Sequence, residues 1–332
     1  MKNMDDWSDD IYFDENYGIS NEKLELGKSE HFELDCPYGK IISTFIKRKI
    51  PLQGIDGDWY DLRTPYGYGG PLIVYANDKK KLLDEYESTF TNYCKRNNII
   101  TEFVRFHPIA NNALDFNKIY DVHFDRHTVG TNMTISETPI ETEFSKGCRK
   151  NIKKALNKGL SFSYEQEPQD LTTFMKVYYD TMDRNNASDF YYFDEQYFEN
   201  LLKFFSKKIL VIYIHFENKI VAAGLYFISH ETIHIHLSGT LTEYLHLNPP
   251  YILRYAVAQW ALSHSIKYLH HGGGRTSSDE DSLYRFKKQF GVNTDFDFYI
   301  GEKVWNKEMY NIVCQQKLPD ENVNGFIRRM KK

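Results

Sequence analysis

The segment 268-YLHHGGGRTSSDEDSLYRFKKQFG-291 holds the residue types that acyl transfer to an amine requires. Such a reaction passes through a tetrahedral oxyanion, and a fixed cation aimed at that oxygen supplies the largest catalytic effect. Lys287 suits this role, on a helix whose apolar side is marked by Phe286 and Phe290. Lys288 then faces elsewhere, since neighbouring helix residues diverge by about 100°. The plain alternative is a solvated Lys-Lys pair. Asp279 and Glu280 stand nearby as candidate proton acceptors. His270 and His271 are adjacent on a strand and point to opposite faces, so joint metal ligation is not expected. His234 and His236 share a strand face but lack a third ligand, and no metal site is expected. The chain carries no G-x-S-x-G elbow and no H-E-x-x-H pair.

Other groups could hold a substrate. The basic run 146-KGCRKNIKKALNKG-159, with Arg149 at its centre, could bind phosphates of a nucleotide-sugar or an RNA end. Composition alone favours the plainer reading, a solvated helix face complementing the helix dipole. Arg184 closes a helix ahead of Tyr191 and Tyr192. An arginine there could clamp a phosphate or carboxylate, and the tyrosines could stack on a substrate; a helix-end arginine beside core aromatics is the alternative. The glycines of 65-PYGYGGP-71 permit close approach of backbone to a ligand, with Tyr66, Tyr68 and Gly69 as contacts, or else form a structural turn. Gly273 and Arg275 belong to the glycine loop ahead of Lys287.

These groups need an α/β scaffold. With 332 residues and 41% hydrophobic content, two domains are expected. Strands read at 40–52, within 59–75, at 99–107 and at 119–134, with an amphipathic helix over 78–97. A helix opening near Thr138 continues through the basic run to a Gly159 cap. Further on come a strand at 160–164, helices at 170–184 and 194–206, three strands between 210 and 237, and a helix at 249–264. A strand at 267–269, a helix at 281–289, a strand near 296–300 and helices at 305–316 and 322–330 complete the reading. The order implies mixed sheets flanked by helices. We divide the chain into an extension at 1–28, domains at 29–137 and 138–301, and C-terminal helices at 302–332 that return to the first domain.

Charge and cysteines exclude several classes. The net charge of −5 gives no basic excess for general nucleic-acid binding. No apolar run approaches a membrane span and the acidic N-terminus is not a signal peptide, so a cytoplasmic protein is expected. Cys36, Cys94, Cys148 and Cys314 form no C-x-x-C pair, which excludes a disulfide framework. Cys148 lies among Lys146, Arg149 and Lys150, which would lower its pKa were it exposed.

Five segments together resemble the Fem family of peptidoglycan bridge-forming aminoacyl transferases and its GNAT-like relatives. They are 65-PYGYGGP-71, 149-RKNIKKALNKGL-160, Arg184 with Tyr191-Tyr192, 248-NPPYILRYAVAQWA-261, and 272-GGG-274 leading to 286-FKKQFG-291. The resemblance implies two GNAT-like domains, an aminoacyl-tRNA donor whose acceptor end is a partner, and an amine on a nucleotide-sugar or lipid-linked precursor as acceptor. It implies that Phe286 and Lys287 are the catalytic pair, that Arg184 grips the acceptor phosphate, and that the Tyr191-Tyr192 pair supplies an active-site tyrosine. No tightly bound cofactor is expected. This chain shows no long coiled-coil arm, and the loop that would hold a coenzyme A pyrophosphate reads 243-EYLHLNPPYIL-253. The expected function is transfer of an aminoacyl or acyl group to an amine of a cell-wall or surface-glycan precursor. The alternatives are an acyl-CoA-dependent N-acyltransferase of an amino sugar and an inert ligand-binding module.

Overall fold

The computed structural model describes residues 7–52, 54–229 and 231–315. In chain order the elements are α1 (Glu15–Asn21), β1 (Lys28–Cys36), β2 (Gly39–Ile50), β3 (Trp59–Arg63), β4 (Leu72–Ala76), α2 (Lys79–Arg96), β5 (Ile99–Arg105), α3 (Ala113–Phe116) and β6 (Asp121–Asn132). Then follow α4 (Pro139–Glu143), α5 (Lys146–Asn157), β7 (Ser161–Gln166), α6 (Thr172–Arg184), α7 (Glu195–Phe205), β8 (Ile209–Phe216), β9 (Lys219–Ser229) and β10 (Thr232–Thr240). The last are α8 (Pro249–Ser263), β11 (Tyr268–Gly272), α9 (Ser282–Lys288), β12 (Asp295–Val304) and α10 (Lys307–Gln315). The helix expected at 322–330 lies outside the described residues.

The chain forms two compact units, one of residues up to Asp125 together with those from Asp297 on, the other Arg126–Phe296. The chain leaves the first unit within β6 and re-enters it within β12. The first boundary therefore falls inside a strand, ahead of the 137/138 division read from sequence. No helix among the described residues is long and apolar enough to cross a membrane.

In the first unit the strand order is β1-β2-β3-β5-β12, with β4 on the other half of β2. All pairs are antiparallel except β3 with β5, which the α2 crossover joins in parallel. Helix α2 buries Leu82, Tyr86, Phe90 and Cys94 at helical spacing, and Asp78 caps it by accepting from the Lys81 amide at 3.1 Å. Within the extension read at 1–28, residues 7–21 pack against the first unit. Asp10 and Asp14 cap short helical turns, and Ile11, Tyr12, Phe13 and Tyr17 are buried.

In the second unit the order is β6-β11-β10-β9-β8-β7. Only β10 and β11 run parallel. Leu210, Ile212, Ile214, Val221 and Tyr226 meet the buried face of α8 and of α5. The single helix expected from Thr138 to Gly159 is two. Phe144 turns to extended backbone and Ser145 caps α5 by accepting from the Cys148 amide at 3.1 Å. Cys148 is buried, and burial pushes its thiol up to about 12, against the direction expected for an exposed site.

Candidate active site

The parallel pair β10 and β11 creates an opening in the second unit. Their pairing runs through Thr232–Tyr268, Ile233–Leu269 and His234–His270 and stops there. Strand β10 continues beside β9 to Thr240, past a bulge at Ile235/Leu237, while β11 ends at Gly272. The carboxyl ends of parallel strands that part in this way are a usual place for ligands.

Lys287 is fixed at this opening. Its Nζ donates to the Gly273 carbonyl at 2.7 Å. Burial, with Arg254 and Arg126 close by, lowers its pKa to about 7, while Asp281 acts in the opposite direction. The ammonium does not stand in bulk solvent. Lys288, one residue on, pairs with Asp295, as the helical divergence of the two side chains requires.

Three devices hold α9. Asp281 caps its start, its carboxylate accepting from the amides of Leu283 at 2.9 Å, Tyr284 at 3.0 Å, Arg275 at 3.2 Å and Thr276 at 3.1 Å. Those amides lower the Asp281 pKa to about 2. Phe286 packs edge-on against Tyr251 in the first turn of α8, with ring centres 5.4 Å apart. At the far end the buried Glu143 carboxylate accepts from the amides of Asn132 at 3.1 Å and Asn293 at 3.0 Å and from the Thr294 hydroxyl.

The glycines preceding α9 serve packing. Gly272 has φ +73°, which favours glycine. A Cβ on Gly274 would stand 2.6 Å from the Asp281 carboxylate. The carbonyl of Gly274 accepts from Arg126 at 3.0 Å, so successive loop carbonyls face cations.

We expect Asp281→Ala to speed amide exchange across 275–285 and to lower turnover at least about tenfold by releasing α9. The cap has a pH sign. A carboxylate with a lowered folded pKa contributes above its unfolded value near ~4 and loses that contribution as pH falls through about 2. Exchange measured down the acid range checks this.

Arg254 was not singled out from the sequence, and His271 was weighed only as half of a metal pair with His270. Arg254 is buried on α8 and, among the described residues, has no carboxylate partner; its Nε is unbonded. Burial lowers its pKa and Tyr226 opposes this. A lone arginine in the apolar helix 248-NPPYILRYAVAQWA-261 was the available signal. His271 is buried beneath the same cations. The Thr131 hydroxyl donates to the Phe290 carbonyl at 2.7 Å and so accepts from His271 Nε2 at 2.8 Å. That leaves His271 Nδ1 as an unpartnered buried acceptor. Burial, then Arg254 and Lys287, hold His271 well below the ordinary histidine range, hence neutral. His270 points to the opposite face, toward Thr128 and His234.

The remaining sequence candidates fall elsewhere. Arg184 bonds the Thr240 carbonyl at 2.7 Å and Thr242 Oγ1 at 3.0 Å and pairs with Asp180 at 3.4 Å. It therefore fastens α6 to the carboxyl end of β10, on the sheet edge where the opening lies. Tyr192 donates to Asp183 at 2.8 Å, and Tyr191 is exposed. Arg149 donates to the carbonyls of Glu141 and Phe144, joining α4 to α5. Arg275 and Asp279 are exposed, and Glu280 pairs with Arg285. His236 does not join His234 as a chelating pair. It bonds the Tyr197 hydroxyl at 2.7 Å, and burial lowers its pKa to about 3.

In the first unit the loop 65–71 is held by its own neighbours. A Cβ on Gly67 would stand 2.5 Å from the Tyr12 ring, and Tyr68 packs edge-on against Tyr12 and Phe298. The carbonyl of Tyr66 accepts from Tyr17 at 2.9 Å, and that of Gly69 accepts from Asn112 at 2.9 Å.

Comparison with known proteins finds similar sequences and folds. The acetyltransferase (GNAT) domain model matches residues 142–288, which include Arg254, His271, Gly273 and Lys287. The UDP-N-acetylmuramoylpentapeptide-lysine N(6)-alanyltransferase of Weissella viridescens is 23% identical over 265 residues, covering 78% of this chain and 70% of that protein. The crystal structure of FemX matches with a TM-score of 0.69 at 12% identity, over 93% of this chain and 96% of that one. L-PGS from Bacillus licheniformis matches with a TM-score of 0.55 at 11% identity, over 91% and 94%. At such identities the structural matches show a shared fold.

Proposed function

We infer that this chain, a Fem-type member of the GNAT-like acyltransferases, transfers an aminoacyl group from an ester donor to an amine of a cell-wall precursor. The observation that carries the reading is the desolvated Lys287 ammonium, held at the parting of β10 and β11. Attack of the amine nitrogen on the ester carbonyl forms the C–N bond and places negative charge on the carbonyl oxygen. Lys287 offers a proton to that oxygen and then to the leaving alkoxide as the C–O bond breaks. With a pKa near 7, it can take a proton back from the attacking amine. Arg254 and Arg126 keep positive charge behind it.

The donor reading rests on the loop before α8. A coenzyme A pyrophosphate needs free backbone amides at a helix N-terminus. Here Pro249 and Pro250 have none, and the Tyr251 amide already donates to the Asn248 carbonyl at 3.2 Å. These observations favour an aminoacyl-tRNA ester over acyl-CoA. Amino-acid transfer from charged tRNA to a soluble nucleotide-linked muropeptide, measured beside transfer from acetyl-CoA, tests it. We expect turnover with charged tRNA alone. Acetyl-CoA turnover, or micromolar coenzyme A binding by calorimetry, would overturn the donor assignment.

A further inference from the structure

The second unit carries a further recess, lined by residues other than those around Lys287. It is a groove of about 470 Å³ between α4, α5 and α8, floored by Ile140, Ile152, Leu156, Tyr255 and Leu262. Leu262 is 46% exposed, so the floor of the groove keeps apolar surface open to solvent. Arg149 and Lys153 stand at the α5 side of the groove, and Glu137 and Glu141 at the α4 end.

Helix α5 supplies the second half of the argument. At about 100° per residue, Lys146, Lys150, Lys153 and Lys154 fall on one face, opposite the buried Cys148, Ile152 and Ala155. All four lysines are exposed, and among the described residues none has a carboxylate within ion-pair distance. Some exposed lysines elsewhere find carboxylates, as Lys28 and Lys49 do, and others such as Lys95 and Lys176 do not; what sets α5 apart is that four lie on one helix face. In a chain of net charge −5, four unpaired cations on three turns form a local feature rather than a general excess.

We propose that the α5 lysine face and the adjoining α4–α5–α8 groove form a docking surface for an anionic lipid bilayer. The lysines meet lipid phosphates and the groove takes an acyl chain or headgroup-level apolar contact. An apolar recess bordered by unpaired lysines is the combination that an anionic membrane surface rewards. A polynucleotide would use the lysines but leave the apolar floor and Leu262 in water. The proposal is independent of the donor and acceptor assigned above.

Sedimentation of the full chain with vesicles tests it. Binding is expected to vesicles containing phosphatidylglycerol, to weaken with salt, and to be at least about tenfold poorer with pure phosphatidylcholine. A Lys150→Gln, Lys153→Gln, Lys154→Gln variant should lose about a hundredfold in vesicle affinity. Leu262→Gln should lose several-fold, with unchanged thermal melting in both. Absence of vesicle binding overturns the proposal, as does binding that both variants retain. Lysine-dependent binding of an RNA oligonucleotide that leaves vesicles unbound also overturns it and reassigns the face to nucleic acid.

Discussion

Replacing Lys287 with alanine is expected to lower kcat by about 10²–10³-fold, with little change in KM for the acceptor, because one pre-placed donor to a developing oxyanion is worth that much. The ammonium is already in place, bonded to the Gly273 carbonyl and flanked by Arg254. Its removal leaves the fold intact, since α9 is held by Asp281, Phe286 and the Glu143 staple rather than by Lys287. The pH dependence has a definite sign. Burial and two neighbouring guanidiniums depress the Lys287 pKa to about 7, so the charged form is present below that pH and lost above it. The part of the rate that depends on the ammonium should therefore fall as pH rises through 7. Lys287→Arg, which stays charged across this range, should lack that limb even where its absolute rate is reduced. A pH–kcat profile of the two proteins decides the matter; an unchanged limb in the arginine variant would rule out Lys287 as its source. The same depression means that the unfolded chain binds a proton here that the folded chain has released. Stability from this group accordingly rises with pH between about 7 and the ordinary lysine range.

The second large effect is on stability. Gly291 follows α9 where the chain passes directly over β6, and a Cβ there would stand 1.7 Å from the Gly130 carbonyl oxygen. Neither partner is a side chain that can swing away, since both are backbone. Gly291→Ala must push α9 off the sheet or break the Gly130–Thr294 pairing, whose amide–carbonyl distance is 3.1 Å. We expect a loss of about 3 kcal/mol in unfolding free energy, together with a fall in activity. Chemical denaturation measures the first. A variant as stable as the parent would show that the approach of α9 to β6 is looser than described. Gly54→Ala is the control, because a Cβ there meets nothing within 4 Å, although its positive φ adds a small strain.

What could be read from residues alone divides along physical lines. The helices α2, α6, α7 and α8 and the strands β8 to β10 follow hydrophobic period, which is local, and they appear where that period puts them. The break between α4 and α5 escaped, because Ser145 was not weighed as a cap inside an otherwise continuous helical pattern. The Trp7–Asn21 segment escaped because its turns are set by Asp10 and Asp14 capping, too short to show a period. At the site, Lys287 was legible from its company in 286-FKKQFG-291. Arg254 and the present setting of His271 were not, since each has one buried nitrogen, Nε and Nδ1, left unbonded only by the tertiary packing. For Arg184 the sequence left open a clamp on phosphate or carboxylate and a helix-end residue; its bonds in the structure run to Thr240 and Thr242, contacts between residues more than fifty positions apart that no local pattern shows.

The way the chain leaves the first unit within β6 and re-enters it within β12 has a bearing on biosynthesis. Strand β12 supplies the partner of β5, through pairs from Ile300–Arg105 to Val304–Thr101. During translation the earlier unit therefore waits with an open β5 edge while the whole of Arg126–Phe296 is made. The later-made unit, whose two ends meet at Gly130 and Thr294, can close first. Nascent chains stalled with Phe296 outside the ribosome and the β12 segment from Ile300 still inside it should thus protect the nested part from protease while the flanking part stays cleavable.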